Sequence, residues 1–454
     1  MIAIVGGGIA GLAAAYELST RGVPFVLFEA ADRVGGLVRT EHVAGFTIEA
    51  GADSMLAQKR AGLDLCDELG LTPRLLTSKL PRTAFVLHHG ALHPLPSPAV
   101  LGIPARWKAL ATYSLLSIPA RLRVAAEPLV PIKATAGDES VGAFYRRRFG
   151  AEIVDVLAQP LLGGIHAGDV ETLSMPGLFP RLADAERSGR KVLRWIQHTA
   201  RTGEAGGAFR SLSAGMGELA ESLRRRLPRD AVRLGSPVTA LAQVGGLWRL
   251  TTPGGRVGAG AVILACPAHA AGRMLESIDV RAAEICGQVR YASTVSVGLG
   301  WARDGIAHPL EGSGFVVARA SNTVRITACT WVSSKWEGRA PAGQVLLRAY
   351  VGGAHDPSAV DLSDQALLDI VVRELSAILS ITGPPTVARV DRWRDAGAQH
   401  EVGHLARITE LEGRLARYPG LFIAGSAFRS IGIPDCVADA RAVAVNAGMF
   451  AHET

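Results

Sequence analysis

Apolar residues near the start of the chain change period twice, and these changes predict a strand, a helix and a second strand. Ile2–Val5 is a continuous apolar run, which is typical of a buried parallel strand. Apolar residues then recur at helical spacing from Ile9 to Tyr16, and Gly22 marks the end of the helix. The run at residues 24–28 predicts the second strand. The chain therefore opens with a predicted β-α-β unit.

The rest of the chain shows three kinds of pattern. Between about residues 95 and 199, frequent prolines break short helical patterns, which predicts an inserted helical region. Alternating patterns between about residues 270 and 390, next to a helix over residues 364–380, predict an antiparallel sheet. Further strands are predicted at residues 232–241, 246–252, 261–265 and 421–424. The fold class is therefore α/β at the start of the chain and α+β overall.

Composition indicates a well-buried globular protein. Of the 454 residues, 48% are hydrophobic and 20% are charged, and no apolar run reaches the roughly 18–20 residues that cross a bilayer. The first residues enter a predicted strand without a basic, apolar leader, so we expect a cytoplasmic protein without a transmembrane segment. The formal charge of +7 favours an anionic partner, either a polyanionic small molecule or a membrane surface, and a generally solvated basic surface is the alternative. No nucleic-acid-binding motif is present, so we expect no nucleic-acid partner.

The spacing of cysteines and histidines does not favour a metal site. The five cysteines are scattered without a C-x-x-C pair, so we expect reduced thiols. His88, His89 and His93 lie in a predicted hairpin, where strand alternation puts His88 on the opposite face from the other two. We therefore predict no metal cofactor.

The residues between the first strand and the first helix match a dinucleotide-binding motif. Gly6-Gly7-Gly8-Ile9-Ala10-Gly11 fits G-x-G-x-x-G, and Glu29 follows the second strand. Gly6 permits a tight turn, Gly8 lets the backbone approach a pyrophosphate, and Gly11 lets the helix pack closely. The helix N-terminus attracts phosphates, and Glu29 can accept hydrogen bonds from ribose hydroxyls. A glycine-rich turn without a ligand is the alternative.

Two further loops favour FAD over NAD. Arg33-Val34-Gly35-Gly36-Leu37-Val38-Arg39-Thr40 resembles the R-x-G-G-x-x-x-T segment of FAD-dependent amine-oxidase-like flavoproteins. Its paired glycines can run close to the cofactor, and Arg33 or Arg39 can steady the phosphates. A surface loop with two solvated arginines is the alternative. Gly51-Ala52-Asp53-Ser54 follows a predicted strand and can wrap the flavin end, with Ser54 capping the next helix.

Three later segments are also informative. Arg146-Arg147-Arg148 is interpreted as a solvated helix face, with a docking site for acidic groups as the alternative. Residues 160–169 form an apolar run broken by three glycines, which suits a backbone that passes close to a bulky ligand. Gly-Ile-Pro-Asp-Cys at residues 432–436 opens a helix whose positive end could face the flavin. An ordinary capped helix is the alternative there.

Taken together, these motifs resemble the FAD-dependent porphyrinogen oxidases of haem synthesis over nearly the whole chain. The resemblance rests on residues 6–11, 33–40, 92–96, 144–150, 160–169 and 432–436. The segments at residues 347–352 and 432–436 are similar to those of the coproporphyrinogen III oxidase branch. Protoporphyrinogen oxidases tend to carry Asn at the position of Pro434.

The resemblance implies a three-part fold and a reaction. It implies a discontinuous, Rossmann-like FAD-binding domain at residues 1–75, 205–268 and 385–454. A substrate-binding domain would hold the antiparallel sheet at residues 76–94 and 269–384, and a helical domain would span residues 95–204. The implied reaction is the oxidation of coproporphyrinogen III to coproporphyrin III, with hydride transfer to FAD and reoxidation by O2 to give H2O2. Contact with a membrane surface or with another haem-pathway enzyme stays open.

The resemblance also implies a set of site residues. FAD would contact Gly6, Gly7, Gly8, Ile9, Ala10, Gly11, Glu29, Ala30, Gly36, Leu37, Gly51, Ala52, Asp53, Ser54, the strand residue Val238, Trp393, Gly432, Ile433 and Pro434. His166 and Gly168 are the substrate candidates. No general base is implied, because aromatisation of the macrocycle supplies much of the driving force.

Several residues depart from the pattern of the relatives. They usually carry Tyr at the position of His166, and Met-Pro-Gln-Tyr-x-x-Gly-His where this chain has Gly397-Ala398-Gln399-His400-Glu401-Val402-Gly403-His404. Ala50 and Ala52 replace a common Arg and Pro, and Leu37 replaces a common Lys. His166 can orient substrate or be a packed histidine. Alternative functions are a protoporphyrinogen oxidase, an amine or carotenoid oxidoreductase on the same scaffold, and a flavin-binding or haem-pathway interaction protein.

Overall fold

The structure is a computed structural model that describes residues 1–133, 137–201, 208–319, 323–429 and 431–453. Its strands are β1 (Ile2–Val5), β2 (Phe25–Phe28), β3 (Thr40–Val43), β4 (Phe46–Glu49), β5 (Met55–Leu56), β6 (Leu75–Thr77), β7 (Ala84–His88), β8 (Ala91–Pro94), β9 (Ala99–Val100), β10 (Ile103–Pro104), β11 (Phe209–Leu212), β12 (Val232–Arg233), β13 (Ala240–Val244), β14 (Leu247–Thr252), β15 (Gly255–Ala259), β16 (Ala261–Leu264), β17 (Tyr291–Ala302), β18 (Gly314–Val317), β19 (Ile326–Trp331), β20 (Gln344–Gly352), β21 (Val387–Ala398) and β22 (Leu421–Ile423). Its α-helices are α1 (Ile9–Thr20), α2 (Arg60–Glu68), α3 (Trp107–Ala111), α4 (Ile118–Ala125), α5 (Val141–Phe149), α6 (Gly164–His166), α7 (Met175–Leu178), α8 (Pro180–Arg187), α9 (Val192–Arg201), α10 (Gly217–Arg226), α11 (Ala268–Leu275), α12 (Val280–Gly287), α13 (Val332–Lys335), α14 (Asp364–Leu379), α15 (His404–Leu415) and α16 (Ile433–Glu453). A π-helix at Val154–Gly163 runs directly into α6.

A parallel sheet joins the first strand of the chain to the last. Its order is β12-β2-β1-β16-β22, and each neighbouring pair is parallel. Ile2 and Ile4 of β1 enter a core formed with α1, α10 and α16, whereas Ala3 and Val5 enter a second core on the other side. Because both faces of the sheet are covered, every residue of β1 is buried, which explains its unbroken apolar sequence. The predicted Rossmann-like fold class is confirmed.

A seven-stranded sheet contains the predicted antiparallel strands. Its order is β21-β17-β20-β19-β18-β7-β8, and within it β18 and β7 run parallel. Leu347 and Val351 of β20 pack with Leu367 of α14 on one face. Strand alternation therefore places Arg348 and Tyr350 on the opposite face. Arg348 extends from that face to the loop that follows β4.

Helices α3–α9 and the π-helix lie between β10 and β11, and all of them except α6 share a core that also includes Val86 of β7. Phe144, Tyr145 and Leu157 are fully buried in that core. The division of the chain into three domains stays a prediction, and the predicted boundary at residues 204–205 lies outside the described residues.

The interpretation of residues 146–148 as a solvated helix face is wrong for two of the three arginines. Arg148 is fully buried, and its guanidinium lies 3.1 Å from the carboxylate of Glu127 and also pairs with Glu186. Arg147 pairs with Glu186 at 2.7 Å, whereas the Arg146 side chain is nearly half exposed. The helical pattern does not reveal this burial, because the glutamates come from segments that are distant in sequence.

Two local predictions after β2 are also wrong. The strand predicted at residues 232–241 divides into β12 and β13, and Val238 lies in the connection between them. Gly235, with φ at +58°, and Pro237 interrupt the strand. Ser54 does not cap α2, which begins at Arg60; its hydroxyl instead donates to the Asp53 carboxylate at 2.7 Å.

Candidate cofactor and substrate site

The glycine-rich turn between β1 and α1 has two glycines that the surrounding backbone requires. Gly6 has φ at +110°, and a Cβ there would lie 2.5 Å from the carbonyl oxygen of Ala265. A Cβ on Gly11 would lie 1.8 Å from the carbonyl oxygen of Gly6. Gly8 differs, because no atom of the described structure lies within 4 Å of the position of its Cβ. The space beside Gly8, at the N-terminus of α1, therefore suits a phosphate group.

Glu29 is held at the edge of this turn. Its carboxylate accepts hydrogen bonds from the backbone N–H groups of Gly7 at 2.6 Å and Ala31 at 2.8 Å. The backbone N–H of Ser236 donates to the Glu29 carbonyl oxygen at 2.8 Å. Ala30 is exposed on the same turn, and Val238 lies two residues beyond Ser236. The structure thus places Glu29, Ala30 and the Val238 segment together, although Val238 is not in a strand.

The paired-glycine loop lies directly against the first glycine turn. The backbone N–H of Gly35 donates to the carbonyl of Gly7 at 2.8 Å, and a Cβ on Gly36 would lie 3.2 Å from the Cα of Gly8. Arg33 donates to the carbonyl of Gly36 at 2.9 Å, so this guanidinium braces the loop itself. Arg39 is instead paired with Glu41 and Asp391. Both arginines therefore have partners within the protein.

The loop at residues 50–54 is fixed from several directions. A Cβ on Gly51 would lie 1.7 Å from the carbonyl oxygen of Leu37, so only glycine fits there. The carbonyl of Ala50 accepts hydrogen bonds from the Trp393 indole at 2.7 Å and from the Arg348 guanidinium at 2.9 Å. Arg348 also donates to the carbonyl of Gly51 at 2.6 Å. The seven-stranded sheet thus holds this loop next to Leu37.

The pKa values of Asp53, in this loop, and Glu49, just before it, shift in opposite directions. Burial disfavours the charge of Asp53, but Lys335 at 3.0 Å and Arg348 outweigh it, so the pKa of Asp53 lies well below its usual range. Burial raises the pKa of Glu49, and its hydrogen bond from Thr40 and the charge of Arg339 only partly oppose the increase. Asp53 is therefore ionised at neutral pH and forms a stable ion pair with Lys335.

The start of α16 lies at the same edge of the parallel sheet as the start of α1. A Cβ on Gly425, after β22, would lie 3.1 Å from the Cβ of Ala10. A Cβ on Gly62 would lie 3.1 Å from Pro434, and Asp435 pairs with Lys59 at 2.5 Å. Gly432, Ile433 and Pro434 thus open α16 on the side of the sheet where the glycine turn lies, as expected at the carboxyl ends of parallel strands.

The two substrate candidates lie at the junction of the helical region and the two sheets. The carbonyls of three consecutive residues, His166, Ala167 and Gly168, accept hydrogen bonds from Gln399 at 2.9 Å, the N–H of Ala354 at 2.8 Å and Gln159 at 3.0 Å, respectively. A Cβ on Gly168 would lie 2.3 Å from the Gln399 side chain. Gln399 follows β21 six residues after Trp393, or about 20 Å along an extended chain. His166 and Gly168 therefore lie together on a loop that Gln399 and Gln159 hold.

The His166 ring packs against an aromatic neighbour and is only partly exposed to solvent. It lies edge-on to Phe179, with the ring centres 6.0 Å apart. Burial, followed by the proximity of His400, lowers the pKa of His166 to about 4. His166 is therefore neutral at physiological pH, and it can act as a hydrogen-bonding group but not as a cation for an anionic substrate.

Sequence reasoning missed the residues that support these loops. Arg348 and Ser296 of the seven-stranded sheet and Lys335 of α13 contact the loop at residues 50–54, and Gln159 and Gln399 hold the loop at residues 166–168. A charged residue within an apolar strand pattern, as at Arg348, is the one signal that could have identified them.

The structure also bears on membranes, metals and thiols. No helix in the described part of the chain is long and apolar enough to cross a bilayer. Within those same residues, no group of three His, Cys, Asp or Glu side chains is placed to hold a metal ion. The five cysteines are free, and burial raises the pKa of Cys66 and Cys266 to about 12.

Comparison with known proteins identifies the family of this chain. Residues 9–447 match the sequence profile of flavin containing amine oxidoreductases. The chain belongs to this family. It is 37% identical to coproporphyrinogen III oxidase of Bacillus subtilis (strain 168), over 98% of this chain and 97% of that one. It is 32% identical to coproporphyrinogen III oxidase of Propionibacterium freudenreichii subsp. freudenreichii, over 97% of this chain and 89% of that one.

A solved structure supports the same assignment. The crystal structure of a proposed protoporphyrinogen oxidase from Exiguobacterium sp. 255-15 superposes with a TM-score of 0.87 and 34% identity. The match covers 99% of this chain and 98% of that chain. These comparisons confirm the predicted flavoprotein oxidase and its FAD cofactor.

The residues present in the structure fit FAD. The space beside Gly8 can receive the pyrophosphate, and the carboxylate of Glu29 lies at the position that a ribose-binding residue needs. Gly36 and Gly51 stand where their loops come closest to the neighbouring backbone, so no Cβ stands in the way there. These observations on Gly8, Glu29 and the two loops are independent of the sequence comparisons.

Proposed function

We propose that the protein is a coproporphyrinogen III oxidase, which converts coproporphyrinogen III to coproporphyrin III in haem biosynthesis. The observation that carries the proposal is the similarity to the Bacillus subtilis enzyme over almost the full length of both chains. The structure supports it with a dinucleotide site at the carboxyl edge of the parallel sheet. The three-domain division, the set of FAD contacts, O2 as acceptor and a cytoplasmic location are part of the proposal.

When bound, FAD accepts the hydride, and O2 then reoxidises the flavin and is reduced to H2O2. Three two-electron oxidations convert one porphyrinogen to one porphyrin, so three O2 are consumed and three H2O2 are released. Because aromatisation drives the reaction, the residues of this chain mainly bind, orient and exclude water. We therefore assign no general base.

The named residues have distinct roles in this proposal. The N-terminus of α1, at Gly8, binds the pyrophosphate, and Glu29 accepts hydrogen bonds from the ribose. The loop at residues 51–54 holds the flavin end, and Arg348 and Trp393 fix that loop through the Ala50 carbonyl. The opening of α16 at residues 432–434 directs its positive end to the cofactor. His166 and Gly168 form one wall of the substrate site.

The test of the proposal is anaerobic mixing of the purified holoprotein with coproporphyrinogen III. We expect the oxidised flavin absorbance to bleach, and porphyrin fluorescence and H2O2 to appear when air is admitted, because the porphyrinogen is the reductant. An FAD-loaded protein whose absorbance does not change would contradict the proposed substrate and leave the cofactor assignment intact.

Protoporphyrinogen oxidase is the second candidate, favoured by the similarity to the Exiguobacterium structure. The two substrates differ in charge, since coproporphyrinogen carries four propionates and protoporphyrinogen two. Paired measurements of kcat/KM on both substrates distinguish the candidates, and a preference for the divinyl substrate would overturn the first proposal.

We also propose that the helical region contacts a membrane surface, because the outward face of α4 is apolar. Ile118 and Leu122 are 66% and 67% exposed, and Leu129, just after the helix, is 84% exposed. The arginines of α4 point inward instead, since Arg123 donates to a backbone carbonyl of α5 at 3.0 Å and Arg121 donates to a carbonyl of α3. Such an exposed apolar stripe is typical of an interaction surface.

The charges next to this stripe favour anionic lipid over a protein partner. Trp107, at the start of α3, is 53% exposed and stands between Arg106 and Lys108, which are both exposed. A tryptophan flanked by cations suits the interface between lipid headgroups and acyl chains. Each basic side chain near an anionic surface contributes about 1 kcal/mol.

Replacing both Ile118 and Leu122 with serine is expected to weaken binding to vesicles that contain phosphatidylglycerol by about tenfold. The variant loses the free energy gained when the two aliphatic side chains move from water into the membrane. Cosedimentation with vesicles measures the effect. Val280→Ser is the control, because Val280 is equally exposed on α12, away from this stripe. Wild-type protein that does not sediment with these vesicles, or that dimerises through Ile118 and Leu122, would contradict the proposal.

A further inference from the structure

Two buried histidines are stacked on each other beside the start of α15. His400 is 1% exposed and His404 is fully buried. Their rings lie 4.0 Å apart between centres, with an angle of 14° between the ring planes. Neither side chain is used in the proposed reaction, so the energetic cost of burying two imidazoles requires another explanation.

Each ring is bound to a backbone carbonyl in the turn between β22 and α16. Nε2 of His400 lies 3.0 Å from the carbonyl oxygen of Ser426, and Nε2 of His404 lies 2.8 Å from that of Phe428. Because a carbonyl can only accept a hydrogen bond, both rings must carry their proton on Nε2. Nδ1 of His404 has no hydrogen-bond partner among the described residues. The pair is therefore arranged to donate to this turn.

The backbone around the same two histidines holds the helical region. The carbonyl of His400 accepts a hydrogen bond from the N–H of Ser174 at 2.8 Å, and the N–H of Val402 donates to the carbonyl of Thr172 at 2.9 Å. Gln399, the preceding residue, holds the His166 carbonyl. Residues 399–404 thus connect the substrate loop, through the two imidazoles, to the turn that leads into Gly432.

We propose that His400 and His404 are positioning residues that set the turn at residues 425–429, and with it the start of α16, relative to the substrate loop. The inference rests on the proposed function, which places the flavin at the opening of α16. The turn itself contacts the cofactor side of the molecule, because Gly425 lies against Ala10 of the glycine-rich turn. Losing a donor leaves a buried carbonyl unsatisfied, and the turn must then shift to find another donor.

The charged and titratable groups that face the pair agree with neutral rings. Arg407 lies close enough to His404 to disfavour a positive charge on that ring, and His400 in turn disfavours a charge on His166. Burial, followed by the proximity of His404, lowers the pKa of His400 to about 4. Both imidazoles thus stay neutral at physiological pH and keep their single N–H for the carbonyls.

The experiment compares His404→Phe with His404→Gln, and His400→Phe with His400→Gln, in the full-length protein reconstituted with FAD. Phenylalanine keeps the stacked ring and removes the donor, whereas the glutamine amide can restore a donor near the position of Nε2. We expect each Phe variant to raise the FAD dissociation constant about tenfold, the order that one unsatisfied buried carbonyl produces. We also expect it to shift the flavin absorption band, and each Gln variant to recover both properties.

His308→Phe is the matched control, since His308 also bonds to backbone but lies beside Trp331 in the seven-stranded sheet. It should leave the FAD dissociation constant and the flavin spectrum unchanged. Phe variants with wild-type FAD affinity and spectrum would overturn the proposal, even with a lower Tm. If the Phe variants do not fold, Gln variants that fail to keep wild-type affinity would overturn it as well. No arm uses porphyrinogen turnover, so failure here is distinct from failure of the proposed reaction.

Discussion

Replacing Gly8 with alanine is expected to weaken FAD binding at least a hundredfold while the apoprotein stays folded. Gly8 has φ at −68°, which any residue adopts, and its Cβ would meet no atom of the described structure within 4 Å. That space is where the pyrophosphate would approach the N-terminus of α1, so the added methyl group displaces the phosphates from the backbone N–H donors. The loss of about two charge-assisted hydrogen bonds corresponds to roughly 3–6 kcal/mol, or a 10²- to 10⁴-fold weaker affinity.

Flavin content after purification and FAD titration of the apoprotein measure this effect, and circular dichroism checks the fold. Gly11→Ala is the contrasting variant, because its Cβ would lie 1.8 Å from the Gly6 carbonyl and would disturb the fold with or without FAD. Gly413→Ala, in α15 and with open space around its Cβ, is the neutral control. Wild-type affinity in Gly8→Ala would show that the pyrophosphate does not pass beside Gly8.

The parts of the site that could be predicted from the sequence are those where a local backbone constraint selects the residue. Gly6 and Gly11 are required because any Cβ would collide with a carbonyl oxygen. Glu29 follows a buried strand by a fixed spacing, so its position at the end of β2 was predictable from the pattern alone. Burial on both faces likewise accounts for the apolar run of β1.

The supporting contacts could not be predicted, because they join residues that are far apart in sequence. Arg348 and Trp393 lie 298 and 343 residues from Ala50, whose carbonyl they share. Lys335 lies 282 residues from Asp53. A charged residue in an apolar strand pattern can mark Arg348, but a single sequence does not identify its partner, since the pairing depends on how the seven-stranded sheet and α13 pack against the loop. Val238 was misplaced for a more local reason, the glycine and proline that end β12 early.

The loop at residues 49–54 shows how burial and charge together prepare the site. Glu49 and Asp53 are both shielded from solvent, but their pKa values shift in opposite directions. Asp53 lies beside Lys335 and Arg348, whose charges exceed the cost of burial, whereas the cations around Glu49 do not compensate fully. The loop that would hold the flavin is therefore fixed by ion pairs formed before the cofactor binds, so little reorganisation is needed on binding.

Replacing Arg148 with methionine is expected to produce a large loss of stability although the residue lies outside the cofactor site. Arg148 and Glu127 are fully buried, and Arg148 also pairs with Glu186. Glu127 accepts further hydrogen bonds from the backbone N–H groups of Val192 and Leu193 at the start of α9. Removing the cation leaves the Glu127 carboxylate buried without a charged partner, whereas Glu186 keeps Arg147, and the free energy of unfolding falls by about 3–5 kcal/mol. Urea unfolding, followed by circular dichroism, measures the change.

The neighbouring arginine is a control within the same helix. Arg146 pairs with Glu171 on the surface, where both side chains are nearly half exposed, so Arg146→Met should cost no more than about 1 kcal/mol. Adding Glu127→Gln to Arg148→Met should recover part of the loss, because it removes the uncompensated charge while keeping a polar group. Equal effects of Arg146→Met and Arg148→Met would contradict the buried network, and would favour the solvated helix face that the sequence alone suggests.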